Sequence, residues 1–225
     1  MRAHDLPVVD SLVFTRRQVQ NNMDKVIEDA EAMSEYPLFT KPVNLGSSVG
    51  INKCHNREEL AAGLREAARY DRRVMVETGI NNPIEIEVSV LGNENPQVSL
   101  PGEVRPAEEF YTYTAKYISN SSELIIPAPL PEQVIRQIRR LAARAYRAID
   151  CAGMARVDFL IEPEEFTIYI SEVNTIPGFT RISMYPKMWA ASGLPYAELV
   201  DRLITLALER KAEQDETERR YGRQQ

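Results

Sequence analysis

Two short stretches late in the chain carry its most constrained residue types. In ARVDF (155–159), Arg156 and Asp158 stand two apart, so on a strand both side chains leave the same face. Glu172 and Asn174 in SEVNTIPGF (171–179) share a face in the same way. If the two stretches pair as a hairpin, Asp158, Glu172 and Asn174 converge. Two carboxylates and an amide oxygen are hard ligands, suited to Mg²⁺ or Mn²⁺ bridging phosphates. A divalent cation also relieves the repulsion between neighbouring carboxylates. Arg156 beside them is a fixed positive charge able to stabilise a developing oxyanion. An ordinary ion-pair cluster of Arg156 with Asp158 or Glu172 explains the same spacing, and spacing alone does not separate the two.

A second group lies earlier, in KPVNLGSSVG (41–50). Gly46 and Gly50 let the backbone turn and approach a ligand, where successive N–H groups can cradle phosphate oxygens. Ser47 and Ser48 add hydroxyl donors, and Lys41 on the preceding strand can reach in as a point charge. The loop is not of the Walker A type, because no Gly-Lys-Ser/Thr follows. In VMVETGI (74–80), backbone groups from Glu77 to Ile80 could read an adenine edge, and Glu85 on the next strand could accept from ribose hydroxyls. FYTYTAKY (110–117) gathers four aromatics and Lys116 in one loop, a costly surface unless it covers a reacting site or packs on the core.

The elements that must position these residues follow from pattern. LPVVDSLVF (6–14) reads as an edge strand. Thr15 with Gln18 is a capping-box pair opening a helix to about Met33. Strands are expected at 36–43, 73–78, 84–91 and 98–105, with a helix capped by Asn56 and Glu59 between the first two. Along 84–90, Ile84, Ile86, Val88 and Val90 alternate with Glu85, Glu87 and Ser89, the signature of a sheet with one wet face. Pro131 opens a helix to about Asp150, with Val134, Ile138, Leu141, Ala145 and Ile149 spaced for burial. Two more strands, 154–161 and 167–173, flank the acidic turn EPEE, and two helices, 183–191 and 196–208, close the fold, with Trp189 as an anchor. This is an α+β body of two lobes with antiparallel sheets.

Bulk properties narrow the function classes. The 225 residues are 44% hydrophobic and 27% charged, the balance of a globular protein. A net charge of −6 opposes a nucleic-acid surface. No apolar run approaches the roughly 18 residues that cross a bilayer, so no membrane role is expected. Cys54 and Cys151 lie far apart, which suits two reduced thiols and a cytoplasmic location.

Taken together, the stretches YPLFTKPVNLGSSVGI, VMVETGI, IEIEVSVLGN, EEFYTYTAKY, PAPL, GMARVDF, SEVNTIPGFTRISMYPKMW and LVDRLITLALER resemble the D-alanine–D-alanine ligases, in the family's order from about Leu6 to Arg210. The resemblance implies an ATP-grasp domain over 1–210, with a smaller ATP-binding lobe at about 16–80, a larger catalytic lobe at about 81–210, and a charged, disordered tail at 211–225. It implies ATP-dependent ligation of two D-alanines through a D-alanyl phosphate, for peptidoglycan precursors. Lys41, Ser47, Ser48 and Lys116 would serve the phosphates, and Glu77, Ile80 and Glu85 the adenosine. Asp158, Glu172 and Asn174 would hold two Mg²⁺ or Mn²⁺ ions. Arg156 and the Gly178 N–H would form the oxyanion pocket, Lys116, Ser183 and Met184 would bind the second D-alanine, and Tyr117 would join Ser47 near the first. The family's N-terminal domain has no counterpart in these residues, so the chain alone is expected to bind Mg–ATP weakly and ligate poorly. Two alternatives stand beside this: an ATP-binding module with little activity alone, and a ligase that uses D-lactate or D-serine as acceptor. A homodimer and a separately encoded N-terminal partner are the protein contacts left open.

Overall fold

The computed structural model describes residues 1–44, 49–105 and 123–217. Two antiparallel sheets organise it. The smaller has the order β1 (Ser11–Thr15), β4 (Arg73–Thr78), β2 (Leu38–Pro42), β3 (Asn52–Cys54). Its alternating apolar residues, Leu38, Val74 and Val76 with Phe14 and Cys54, pack against three helices: α1 (Arg16–Asn21), α2 (Met23–Met33) and α3 (Arg57–Tyr70). The capping box at Thr15 forms as expected, with Gln18 N–H donating to the Thr15 hydroxyl at 3.2 Å and Thr15 N–H donating back to Gln18 Oε1 at 2.8 Å. The single helix expected to Met33 is instead broken at Asn22, whose φ of −138° is not helical. Two adjacent asparagines offer side-chain bonds that compete with the helical backbone.

The larger sheet runs β10 (Ile168–Asn174), β9 (Gly153–Ile161), β5 (Ile84–Gly92), β7 (Gly102–Arg105), β8 (Glu123–Ile125), with β6 (Gln97–Val98) also on β5. The strand expected over 98–105 is split into β6 and β7 at Pro101, which has no N–H for a ladder. One face of this sheet, with Ile86, Val88, Val157, Phe159 and Ile170, packs on α4 (Glu132–Ala148). Ile149, expected to be buried with that helix, lies just past its end and is 42% exposed.

The wet face expected for β5 is not wet. The strand is central, and α5 (Met184–Ala191) lies across its other side, so Glu87 is 8% and Ser89 0% exposed. Ser89 donates from Oγ to the Tyr185 carbonyl at 3.1 Å, which satisfies the hydroxyl under the helix. Trp189 on α5 joins Tyr185, Leu194 and Leu199 in one cluster and anchors α6 (Tyr196–Glu216). The tail expected to be disordered from 211 is helical as far as Glu216.

Chain segments cross between the two sheets at two places. Leu6 is buried in the core of the larger sheet, while Phe14, eight residues on, is buried in that of the smaller. The return crossing follows β4, and there Thr78 N–H donates to Asp10 O at 2.9 Å, so the two crossings lie side by side.

Candidate active site

Strand register assembles the charged residues of the larger sheet. On β9 and β5, Asp158 stands opposite Glu87 and Arg156 opposite Ser89. On β9 and β10, Asp158 stands opposite Glu172 and Arg156 opposite Asn174. Cross-strand partners share a face, so Glu87, Arg156, Asp158, Glu172 and Asn174 all project from the side away from α4.

A bulge makes this possible. Ile168 and Ile170 point into the core, and an uninterrupted strand would send Glu172 after them. The register slips between Ile170 and Glu172, one extra residue is accommodated, and the parity reverses. Val173 then packs toward the core while Glu172 and Asn174 join the opposite face. The convergence expected of the hairpin is therefore observed, through a device the period of two does not contain.

Arg156 is the hub, with its side chain 12% exposed. Its Nε donates to Asp158 Oδ1 at 2.7 Å and its Nη2 to Asp158 Oδ2 at 2.6 Å, a two-pronged pair. Nε also lies 3.2 Å from Glu87 Oε2, and Nη2 lies 3.9 Å from Glu172 Oε1. Burial alone would lower the guanidinium's pKa, but Asp158, Glu87 and Glu172 together hold it above its usual value. Glu172, 48% exposed, is shifted up, first by partial desolvation and then by the charge of Asp158. Asn174 Nδ2 donates to Asp158 at 3.1 Å and to Glu172 at 2.9 Å.

Three carboxylates thus face one guanidinium, and this excess of negative charge is the observation that tests a metal. Asp158 and Glu172 side by side fit a divalent cation, which would remove the repulsion that raises the Glu172 pKa. Asn174 fits by turning about its last torsion, exchanging Nδ2 for Oδ1 at the same place. No cluster of three or more His, Cys, Asp or Glu suited to a metal occurs among the described residues, so the fit rests on the amide as third donor.

The smaller sheet contributes one pair. Lys41 on β2 and Glu77 on β4 project from the face opposite its core, and Lys41 Nζ lies 2.6 Å from Glu77 Oε2. Backbone donors of the segment after β4 are partly committed to the fold: Gly79 N–H donates to Pro37 O at 2.9 Å, and Thr78 N–H to Asp10 O. Ile80 is buried. Glu85 follows the register of Glu87 two residues along β5, opposite Val104 and Leu160.

Gly178 and Ser183 meet in the loop after β10. A Cβ at Gly178 would come within 2.9 Å of Ser183 Oγ, which accepts from Thr180 N–H at 3.0 Å. Met184 opens α5, and its side chain is buried with Val104 and Met188 rather than offered to a ligand. Ser47, Ser48, Lys116 and Tyr117 lie outside the described residues. Glu87 is the residue that sequence reasoning missed. It was assigned to a solvated face, and the available signal was that its strand is long, apolar and therefore central. Cys54 is buried, which pushes its thiol up to about 11 and leaves it no nucleophilic role.

Residues 1–205 match the family model described as the D-ala D-ala ligase C-terminus. The chain belongs to the D-alanine–D-alanine ligase C-terminal family. A D-alanine–D-alanine ligase of Ruminiclostridium cellulolyticum is 52% identical over 96% of this chain and 57% of its own length. One from a Thermoanaerobacter strain is 56% identical over 82% of this chain and 53% of its own. Among solved structures, the D-alanine-D-alanine ligase of Coxiella burnetii superposes with a TM-score of 0.79 at 41% identity, over 95% of this chain and 56% of that one. The VanG D-Ala:D-Ser ligase of Enterococcus faecalis gives 0.80 at 36%, over 91% and 58%. The fold is accordingly ATP-grasp, α+β with antiparallel sheets flanked by helices, and this ligase-family chain spans little more than half the length of the relatives it matches. No helix among the described residues is long and apolar enough to cross a membrane.

Proposed function

We propose that this chain supplies the nucleotide- and metal-binding part of an ATP-dependent ligase that joins two D-alanines in the cytoplasm for peptidoglycan precursors. The observation that carries the reading is the shared face of Arg156, Asp158, Glu172 and Asn174, set by register and bulge. A carboxylate is a poor electrophile, and ATP activates it as an acyl phosphate. Two anions must then be brought together, which requires concentrated positive charge. Lys41 serves the nucleotide's phosphates from the smaller sheet, together with Ser47, Ser48 and Lys116. Glu77, Ile80 and Glu85 hold adenine and ribose. Asp158, Glu172 and Asn174 hold two Mg²⁺ or Mn²⁺ ions, which offset phosphate charge when bound.

Arg156 and the Gly178 N–H bind the oxygen that becomes anionic when the second D-alanine's amine attacks the acyl carbon. Lys116, Ser183 and the backbone at Met184 place that second amino acid, and Tyr117 with Ser47 orders the first. Homodimerisation and an N-terminal partner domain complete the proposal. The acceptor is D-alanine rather than D-serine or D-lactate, because relatives at 52% and 56% identity are D-alanine–D-alanine ligases whereas the D-Ser ligase is 36% identical.

The test is ADP release by the protein with saturating D-alanine, D-serine or D-lactate, alongside binding of Mg–ATP. ADP formation dependent on D-alanine supports the reading. Turnover with D-serine or D-lactate but not D-alanine, or no Mg–ATP binding, would overturn it.

A further inference from the structure

The buried carboxylate of Glu87 has no place in the ligand set above, yet it stands directly opposite Asp158 on the neighbouring strand and 3.2 Å from Arg156 Nε. Its surroundings on the other side are built to seal it. Its partner on β7 is Gly102, where a Cβ would lie 2.4 Å from Met184 Cε and 3.4 Å from Met188 Sδ. The missing side chain at 102 lets α5 settle onto the sheet beside Glu87. A carboxylate this enclosed needs compensating charge, and Arg156 supplies some of it from 3.2 Å.

Arg156 Nε donates to Asp158 Oδ1 and stands 3.2 Å from Glu87 Oε2 as an ion pair, and these two carboxylates have different futures. Asp158 Oδ1 and Oδ2 hold the guanidinium by both prongs, and the same two oxygens would serve a divalent cation. A cation drawing on Asp158 weakens its hold on Arg156. Glu87, buried beside α5 and outside the proposed ligand set, remains as the ion-pair partner. We infer that Glu87 is a positioning residue: its carboxylate retains the Arg156 guanidinium while Asp158 turns to the metal, which frees Nη2 for the reacting oxygen. The inference rests on the proposed ligase reading of the same site, and it assigns Glu87 to the arginine rather than to the metal.

The test uses the full protein and its Glu87→Gln and Glu87→Ala variants, with three readouts: ADP release with D-alanine, Mn²⁺ binding followed by electron paramagnetic resonance, and solvent exchange of the Arg156 Nε–H by nuclear magnetic resonance with and without Mg²⁺. Loss of an outer partner of this kind costs about 10–100-fold in activity. Glu87→Ala should lower kcat to that extent while the KM for ATP and the Mn²⁺ affinity change by less than about threefold, within the spread of single-contact effects. Glu87→Gln keeps an oxygen for Nε and should restore most of kcat; being isosteric, it also stands in should the alanine variant not fold. With Mg²⁺ present, Nε–H exchange should stay slow in the unmodified protein and Glu87→Gln, and accelerate in Glu87→Ala. Unchanged kcat and exchange in both variants, or a loss of Mn²⁺ binding in Glu87→Gln, would overturn the inference. Absence of D-alanine-dependent ADP release in the unmodified protein would instead count against the ligase reading, and the exchange measurement would still decide the role of Glu87.

Discussion

The two sheets solve the problem of holding charge in different ways. The smaller one sets the Lys41–Glu77 pair on an antiparallel surface, with both side chains reaching from adjacent strands. The larger one gathers three carboxylates and an amide around one guanidinium, and it needs a bulge, a glycine opposite Glu87 and a covering helix to do so. A pair can be lost with local consequences. Loss of the hub reaches further, since one guanidinium faces all three carboxylates.

The largest expected effect breaks the hub. Arg156→Ala removes the counter-charge that Asp158 and Glu87 share, and should destabilise the protein by about 3–5 kcal/mol in urea unfolding. On the oxyanion role proposed for Arg156, D-alanine-dependent ADP release should fall roughly 10²–10³-fold. Lys41→Met tests the other sheet. It should raise the KM for ATP by about tenfold, equivalent to about 1.4 kcal/mol, and cost about 1–3 kcal/mol of stability as Glu77 loses its partner. Equal stability losses for the two variants would erase the contrast between pair and hub.

Gly50→Ala probes the base of the glycine-rich turn. Its φ of +73° is left-handed, and a Cβ there would come within 2.7 Å of Tyr70 Cδ2. A loss of about 1–2 kcal/mol in thermal unfolding is expected. The smallest effect sharpens the comparison through pH. Because the folded-state pKa of Glu172 is raised, its ionisation opposes folding, and that penalty grows as pH rises through the window above the ordinary carboxylate value. Glu172→Gln should therefore stabilise the metal-free protein near neutrality, by less than about 1 kcal/mol given its exposure. The gain should vanish below the unfolded-state pKa, and added Mg²⁺ should reverse the order. Stability of wild type and variant measured from pH 4 to 8 checks the sign.

Much of the fold was legible because its signals are local. The Thr15 capping box, the Asn56 cap of α3 and the strand at 73–78 each depend on residues within a few positions of one another. The Asp158–Glu172 meeting was legible for the same reason, as a hairpin across one short turn. What escaped depends on packing between distant segments. That β5 is covered on both faces is decided by α5, about a hundred residues later, and so the character of Glu87 could not be read from its alternation with isoleucine. The bulge escaped because Ile168, Ile170 and Glu172 share a parity that predicts a common face; only Val173 hints that the parity must break.

The paired crossings between the sheets carry a mechanical consequence. Covalent continuity from one core to the other runs only through the segment between Leu6 and Phe14 and the segment after Thr78, and these lie against each other at Asp10. Two adjacent backbone ties act like the knuckles of a door hinge: they allow swing about one line and resist sliding or twisting. A swing of one sheet against the other would draw on torsions at residues 7–10 and 79–83, where the backbone passes between the two cores. Stiffening either stretch should reduce that swing.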